Sequence, residues 1–199
     1  MSWIGTPEES RDAAVAAAYD RDRAGLGYVA NYTKVFAHRP DVLAAWQGLN
    51  ASIKASMDPR TYELATLAAA LRLRSSYCSL AHGAVLADRH VGPEALPALV
   101  ADPRSAGLAQ AEVAVMALAD KVAAGAADMT AEDLRELRDL VLDDAALLDV
   151  VLAAAARCFF SSVLDAVGAE PDSAYRRLDA PVRDALTVGR RIESGPEPA

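Results

Sequence analysis

The chain has 199 residues, a net charge of −8 at pH 7 and a pI of about 4.9. Nucleic-acid backbones require concentrated positive charge, and no Lys/Arg cluster here stands apart from acidic neighbours, so no nucleic-acid partner is expected. Hydrophobic residues make up 53% of the chain but aromatic residues only 6%, so Ala, Leu and Val must form the core. Ala has the highest helix propensity and strand-forming runs are missing, so the composition predicts an all-α fold.

Three of the first four predicted helices begin at local start signals. Thr6-Pro7 followed by two acids predicts an N-cap and a first helical turn, for a helix that runs to about Gly25–Gly27. A short helix over 29–37 follows. Arg39-Pro40 and Asp58-Pro59 each predict the start of a further helix with apolar residues at three- and four-residue spacing.

The rest of the chain also alternates between start signals and helical patterns. The predicted helices are a fifth from Ser75 or Ser76, a brief one from Gly92-Pro93-Glu94, one over 108–124, one after the capping-box variant Thr130–Asp133 to about Leu142, one over 144–167 ended by Gly168, and a last one from Ala180. Together they predict a single all-helical domain over 1–199, with a mobile tail at about 193–199.

The N-terminus and the apolar runs bear on location. The first ten residues have no basic segment followed by an apolar one, which does not fit a signal peptide. Charges interrupt the Ala/Val/Leu runs before 18 apolar residues, so no membrane-spanning helix is expected. Two cysteines do not form a disulfide scaffold, and the expected compartment is the cytoplasm.

Cys78 and His82 form the main candidate site. They are four residues apart, a spacing that places both side chains on one face of a helix. A thiol beside an imidazole can become a thiolate, because an imidazolium stabilises the anion. Glu63, on the preceding predicted helix, is a candidate to take up or pass on the proton. The sequence therefore predicts a reactive cysteine with Cys78, His82 and Glu63 as catalytic residues.

This stretch resembles the alkylhydroperoxidase D and carboxymuconolactone decarboxylase superfamily, in particular its peroxidase-related branch. The family pattern is a Glu, then Cys-x-x-Cys beginning twelve residues later, then a His four residues after the second Cys. Here Glu63 is followed by Ser75, Cys78 and His82 at the same spacings, and Tyr77 precedes Cys78 as an aromatic residue or His often does. A similar lead-in covers 28–43, and the family-like core is expected over about 28–172.

The resemblance implies a fold, an assembly and a mechanism. The fold is an all-helical bundle whose subunits associate as trimers or hexamers. The second cysteine of the family pair attacks a hydroperoxide, the first closes a disulfide, and Glu and His relay protons. Carried over, Cys78 is the peroxidatic residue and Glu63 and His82 are the relay. The expected substrate is a small hydroperoxide or another small organic molecule.

Ser75 departs from the family pattern. It stands where the first cysteine of the pair is expected, and serine cannot form a disulfide. An external thiol reductant is therefore expected to regenerate Cys78. Ser75 also suits the N-cap of the Cys78 helix, and Ser75 and Tyr77 are expected to line the site.

Other interpretations stay open at this point. Glu63 and His82 would also serve acid–base chemistry of the decarboxylase type, and a catalytically silent helical oligomer is a third hypothesis. Cys78 could be a small buried hydrophobe, and Cys158 is expected in the core. His38 and His90 lack a metal-ligand partner at helical spacing, so no metal or cofactor is expected.

Overall fold

The computed structural model describes residues 2–140 and 143–195, and every regular element in them is helical. This confirms the all-α prediction. The α-helices are α1 (Ala13–Leu26), α2 (Asn31–Phe36), α3 (Pro40–Ser56), α4 (Pro59–Arg72), α5 (Ser76–Leu86), α6 (Leu96–Ala101), α7 (Gln110–Gly125), α8 (Ala131–Asp139), α9 (Asp144–Ala166) and α10 (Ala180–Leu186).

The first helix begins later than its local signal predicts. Thr6 is not an N-cap; α1 starts at Ala13, and the Asp12 side chain accepts a hydrogen bond from the amide of Ala14. The segment before it is tied to the helix instead, since the Tyr19 hydroxyl donates to the carbonyl of Pro7 at 2.9 Å. Two usable start signals lie close together in the sequence, and this tertiary contact favours the second.

Most other boundaries follow the sequence signals. Pro40 and Pro59 lie in the first turns of α3 and α4, and Thr130 with Asp133 forms the capping box of α8. Gly168, after α9, has φ +71°, a left-handed conformation that glycine adopts without strain. The expected end of the eighth helix near Leu142 lies outside the described residues.

Helix α4 is the centre of the bundle. It packs against α5, α7 and α9, and its residues from Tyr62 to Ala70 are all buried. A second apolar cluster joins α1, α2 and α3 to the C-terminal part of α9. Side chains of α3, α4, α5 and α9 meet where the two clusters adjoin, and Cys78 lies there.

The C-terminal segment packs onto α5. Leu186 of α10 fills the space above Gly83, where a Cβ would lie 2.4 Å from a Leu186 methyl carbon. The Ser79 hydroxyl donates to the carbonyl of Leu186, and the amide of Gly189 donates to the Ser76 hydroxyl at 2.7 Å. At the start of the expected tail, the amide of Glu193 donates to the carbonyl of Pro171 at 3.0 Å. Residues 196–199 of that tail lie outside the described residues.

Helix α9 is both a core helix and an exposed apolar surface. By length and composition alone it could cross a membrane, with a mean hydropathy of 1.9 over its most apolar 18 residues. The sequence analysis predicted no helix of this kind. The prediction differs because single charges such as Arg157 do not offset the hydropathy of the surrounding Ala, Val and Leu. In the bundle, α9 packs against α3, α4 and α7. Between α3 and α9 an apolar groove of about 430 Å³, the α3–α9 groove, is lined by Val42, Ala45, Trp46, Leu49, Ile53, Leu152, Ala155, Ala156 and Phe159.

Candidate active site

The turn before α5 fixes the position of Cys78. Helix α4 ends in a Schellman motif, in which the amide of Ser75 donates to Ala70 and that of Arg74 to Leu71. Arg74 takes the left-handed position of this motif, with φ +55°. Glycine is usual there, because a Cβ is unfavourable at positive φ. The tight reversal starts α5 at Ser76 and puts Cys78 in its first turn, where the helix dipole favours an anion.

Cys78 lines a cavity of about 220 Å³ between α3, α5 and α9. Its walls are largely aromatic, and the lining residues are Tyr32, Leu43, Trp46, Gln47, Asn50, Tyr77, Cys78, Ala81, His82, Arg157, Phe160 and Tyr175. Three larger cavities, of about 400, 430 and 790 Å³, are lined by neither Cys nor His among the described residues. The combination of a nucleophile with a titratable group thus favours the smallest of the four as the active site.

His82 and Glu63 are joined across α5 and α4. Nδ1 of His82 lies 2.6 Å from Oε2 of Glu63, and Glu63 is 3% exposed. A carboxylate only accepts hydrogen bonds, so Nδ1 carries the proton and Nε2 is the basic nitrogen of the ring. The carboxylate thus fixes the tautomer of an imidazole that lines the cavity of Cys78.

The ionisation of this pair differs from the sequence expectation. Burial, followed by the positive charge of Arg157, lowers the pKa of His82 to about 4 despite the opposing effect of Glu63. Burial alone would raise the pKa of Glu63, but the hydrogen bond from His82 and the Lys54 ammonium at 3.6 Å hold it below its ordinary value. At neutral pH the pair is a neutral imidazole and a carboxylate, so His82 is not the imidazolium that the sequence reading assigned beside the thiol.

Arg157 of α9 is the cation that contacts the thiol. It is 4% exposed, and its Nη1 lies 3.6 Å from Sγ of Cys78. Its Nη2 donates to the Tyr62 hydroxyl at 3.4 Å, and Tyr62 in turn donates to Oδ1 of Asn50 at 2.7 Å. The guanidinium carbon also lies 5.7 Å from the Trp46 ring and 5.6 Å from the Phe160 ring, within cation–π range.

Ser75 precedes α5 but does not cap it with its side chain. The residue is fully buried, and its hydroxyl makes no hydrogen bond of normal length within the described residues. The Asp165 carboxylate is its polar neighbour: burial raises the pKa of Asp165, and a longer contact with the Ser75 hydroxyl opposes that effect. Ser75 is absent from the lining of the cavity, where it was expected.

Tyr77 lines the cavity with its ring, and its hydroxyl is hydrogen-bonded to Asp172. The hydroxyl donates to this buried carboxylate, which also accepts from the amide of Asn31 at 2.7 Å. The same hydroxyl accepts a hydrogen bond from the amide of Tyr32 at 3.1 Å. Burial raises the pKa of Asp172 to about 6, although the bonds from Tyr77 and Asn31 lower it.

Three residues of the site were not predicted from the sequence. Arg157, Tyr62 and Lys54 come from α9, α4 and α3, and no short motif links them to Cys78. One signal was available, because Arg157 is a charged residue within the apolar run Ala153–Phe160 and is buried. Cys158, one position further, is half-buried rather than fully in the core. It is not among the described residues that line the cavity, and both cysteines are free thiols.

Known proteins share the fold of this chain and, over part of its length, its sequence pattern. Residues 40–121, which include Glu63, Cys78 and His82, match the carboxymuconolactone decarboxylase family. No curated protein matches the chain. An uncharacterized peroxidase-related protein from Ralstonia eutropha JMP134, described as an alkylhydroperoxidase AhpD core, is 20% identical, with 87% of this chain and 94% of that chain covered and a TM-score of 0.78.

Two further solved structures share the fold. A peroxidase-related protein from Silicibacter sp. TM1040 is 19% identical, with 88% of this chain and 94% of that chain covered and a TM-score of 0.79. The debrominase Bmp8, in a complex with 2,3,4-tribromopyrrole, is 17% identical, with 92% of this chain and 95% of that chain covered and a TM-score of 0.70. Residues 40–121 are thus similar to the carboxymuconolactone decarboxylase family, and the chain shares its fold with the solved peroxidase-related proteins.

Proposed function

We propose that the protein is a thiol-dependent peroxidase that reduces small organic hydroperoxides at Cys78. The observation that carries the proposal is the arrangement of one cavity, where the Cys78 thiol, an oriented His82–Glu63 pair and a buried guanidinium converge. A peroxidatic thiol requires stabilisation of its anion and a route for protons, and these groups supply both.

Before it reacts, Cys78 loses its thiol proton through Nε2 of His82, whose ring Glu63 orients. The sulfur then attacks the terminal oxygen of the hydroperoxide, the O–O bond breaks, and Cys78 becomes a sulfenic acid. The alkoxide that leaves takes up a proton by the same route and departs as an alcohol. Sulfur is oxidised by two electrons and the peroxide is reduced by two.

Reduction of the sulfenic acid requires an external thiol. Ser75 cannot resolve it, and Cys158 does not line the cavity. A small thiol attacks the sulfenic acid, water leaves, and a mixed disulfide forms. A second thiol then releases Cys78 and forms the external disulfide. The size of the cavity, about 220 Å³, favours a small hydroperoxide and a small reductant over protein partners.

The experiment compares two cysteine variants. Consumption of tert-butyl hydroperoxide with dithiothreitol is measured for wild type, Cys78→Ser and Cys158→Ser. We expect Cys78→Ser to lose activity and Cys158→Ser, the matched control, to keep it. Dimedone should trap a sulfenic acid on Cys78 after one equivalent of hydroperoxide. Retained activity in Cys78→Ser would instead favour the acid–base hypothesis, which needs only Glu63 and His82.

A second candidate function is removal of halogen from a small aromatic ring. The fold similarity to the debrominase Bmp8 suggests it, and the walls formed by Tyr32, Trp46, Phe160 and Tyr175 suit an aromatic ligand. Release of bromide from 2,3,4-tribromopyrrole in the presence of dithiothreitol tests it. Release that exceeds hydroperoxide turnover, and that Cys78→Ser abolishes, would make this the primary function.

A further inference from the structure

The buried guanidinium of Arg157 has no acidic partner in the described part of the chain. Its side chain is almost wholly inaccessible, yet no carboxylate oxygen of the described side chains lies within 4.0 Å of its nitrogens. Its Nε also lacks a hydrogen-bond partner among those residues. A buried cation without a counter-ion is strongly unfavourable, so a negative charge is expected next to it.

Among the groups in direct contact with Arg157, one can carry this charge. The hydroxyl of Tyr62 accepts from Nη2, and burial raises the pKa of Tyr62, so it is neutral at pH 7. Tyr77 and Tyr175 are buried as well, and burial raises the pKa of both. Trp46 and Phe160 offer only their rings. The remaining neighbour is Cys78, whose sulfur is in contact with Nη1.

The charges of Glu63, Lys54, His82 and Arg157 balance only with an anion at Cys78. The negative charge of Glu63 is matched by Lys54 at 3.6 Å, while His82 is neutral. The Asp172 carboxylate accepts hydrogen bonds from Tyr77 and Asn31 and, among the described residues, forms no ion pair with Arg157. Summed over Glu63, Lys54, His82 and Arg157, the charge is +1 with a neutral thiol at Cys78 and zero with a thiolate.

We infer that Arg157, rather than His82, is the counter-ion of a Cys78 thiolate in the resting protein and is a further catalytic residue of this site. The inference rests on the proposed function only in taking sulfur as the reacting atom. Since a guanidinium keeps its charge over the whole physiological pH range, it holds the thiolate without itself gaining or losing a proton. His82 then remains neutral and free to conduct protons.

A spectroscopic test separates the two cations. Thiolate absorbance in the ultraviolet at pH 7 is measured against a Cys78→Ser blank, in a Cys158→Ser background, for wild type, Arg157→Gln, Arg157→Lys and His82→Gln. Arg72→Gln, which removes a half-exposed cation paired with Asp120, is the control for charge alone. We expect at least a tenfold loss of thiolate in Arg157→Gln and a retained signal in Arg157→Lys, His82→Gln and Arg72→Gln.

The same measurement can overturn the inference. The inference fails if wild type has no thiolate signal, if Arg157→Gln keeps the signal, or if His82→Gln loses it. The His82→Gln measurement remains a valid test even if Arg157→Gln does not fold. A thermal-melting cycle adds an independent readout: Cys78→Ser leaves Arg157 unpaired, so the Cys78→Ser/Arg157→Gln double variant should melt above Cys78→Ser alone. A thiolate that depends on Arg157 without hydroperoxide turnover would refute the proposed function and leave this inference intact.

Discussion

His82 and Glu63 are nineteen positions apart in sequence, and their side chains meet at 2.6 Å between α5 and α4. The bond forms inside the bundle, where charge is costly, so it involves a neutral ring and a carboxylate rather than two full charges. The acid sensitivity of the fold follows from this arrangement.

Acidification should destabilise the protein through His82. An unfolded histidine takes up a proton near pH 6.5, whereas folded His82 does so only near pH 4. Between these values the unfolded chain binds more protons, so stability falls as the pH drops from about 6.5 towards about 4. His82→Asn should remove this loss. Urea midpoints of both proteins at pH 7 and pH 5 check it.

The comparison with wild type matters because Asp172 acts in the opposite direction. Its pKa is raised to about 6, so the folded state holds that proton more tightly and gains stability as the pH falls. This contribution is the same in both proteins and cancels in the difference. An identical pH dependence in wild type and His82→Asn would contradict the assignment to His82.

Ser75→Cys should restore an internal resolving thiol. The residue lies in the turn just before α5, three positions before Cys78, and its hydroxyl makes no cap bond that the change would remove. We expect a disulfide between the introduced thiol and Cys78 after one equivalent of hydroperoxide, by mass spectrometry, and faster turnover with a dithiol reductant. Wild type should instead over-oxidise to sulfinic acid. Ser75→Ala is the control, and a variant that gains neither disulfide nor turnover would argue against a sulfenic acid intermediate.

Tyr77→Phe should destabilise the protein more at alkaline pH than at acidic pH. The change removes the hydroxyl that donates to Asp172 and accepts from the amide of Tyr32. Loss of a hydrogen bond to a buried carboxylate costs about 2 kcal/mol. Below pH 6 Asp172 takes up a proton and the cost falls. Unfolding free energies at pH 8 and pH 5 test this, and an equal loss at both would indicate that only the Tyr32 contact matters.

We propose that the α3–α9 groove is the face at which copies of the chain associate. Leu49, Leu152 and Phe159 are exposed there, and contiguous apolar surface of this kind marks interaction sites. In analytical ultracentrifugation wild type should sediment as a multiple of 20.9 kDa, and Leu152→Glu should lower that mass. Leu26→Glu, at an exposed Leu of α1, is the control. A wild-type mass near 20.9 kDa would exclude a stable oligomer.

Sequence patterns predicted the parts of the fold that local chemistry decides. Pro40, Pro59 and the Thr130–Asp133 box mark helix starts because the first-turn amides have no partners within the helix. The start at Thr6 failed because a tertiary bond from Tyr19 to Pro7 decides it. A contact between residues twelve positions apart has no local signature.

The candidate site was likewise predicted only where its residues are close in sequence. Cys78, His82 and Glu63 lie within one recognisable spacing on two adjacent helices, so the sequence could associate them. Arg157 reaches the thiol from seventy-nine positions away, and only the packing of α9 on α5 brings it there. The protonation of His82 was also beyond the sequence, since it depends on burial and on Arg157.

Trp46 forms part of two walls, one of the α3–α9 groove and one of the Cys78 cavity. Its ring stands 5.0 Å from that of Phe160 and within reach of the Arg157 guanidinium. Any molecule bound in the groove therefore contacts the same indole that borders the cavity of Cys78. If copies of the chain associate through the groove as proposed, activity at Cys78 should differ between dilute and concentrated solution, because separation of the copies would expose one face of Trp46 to water.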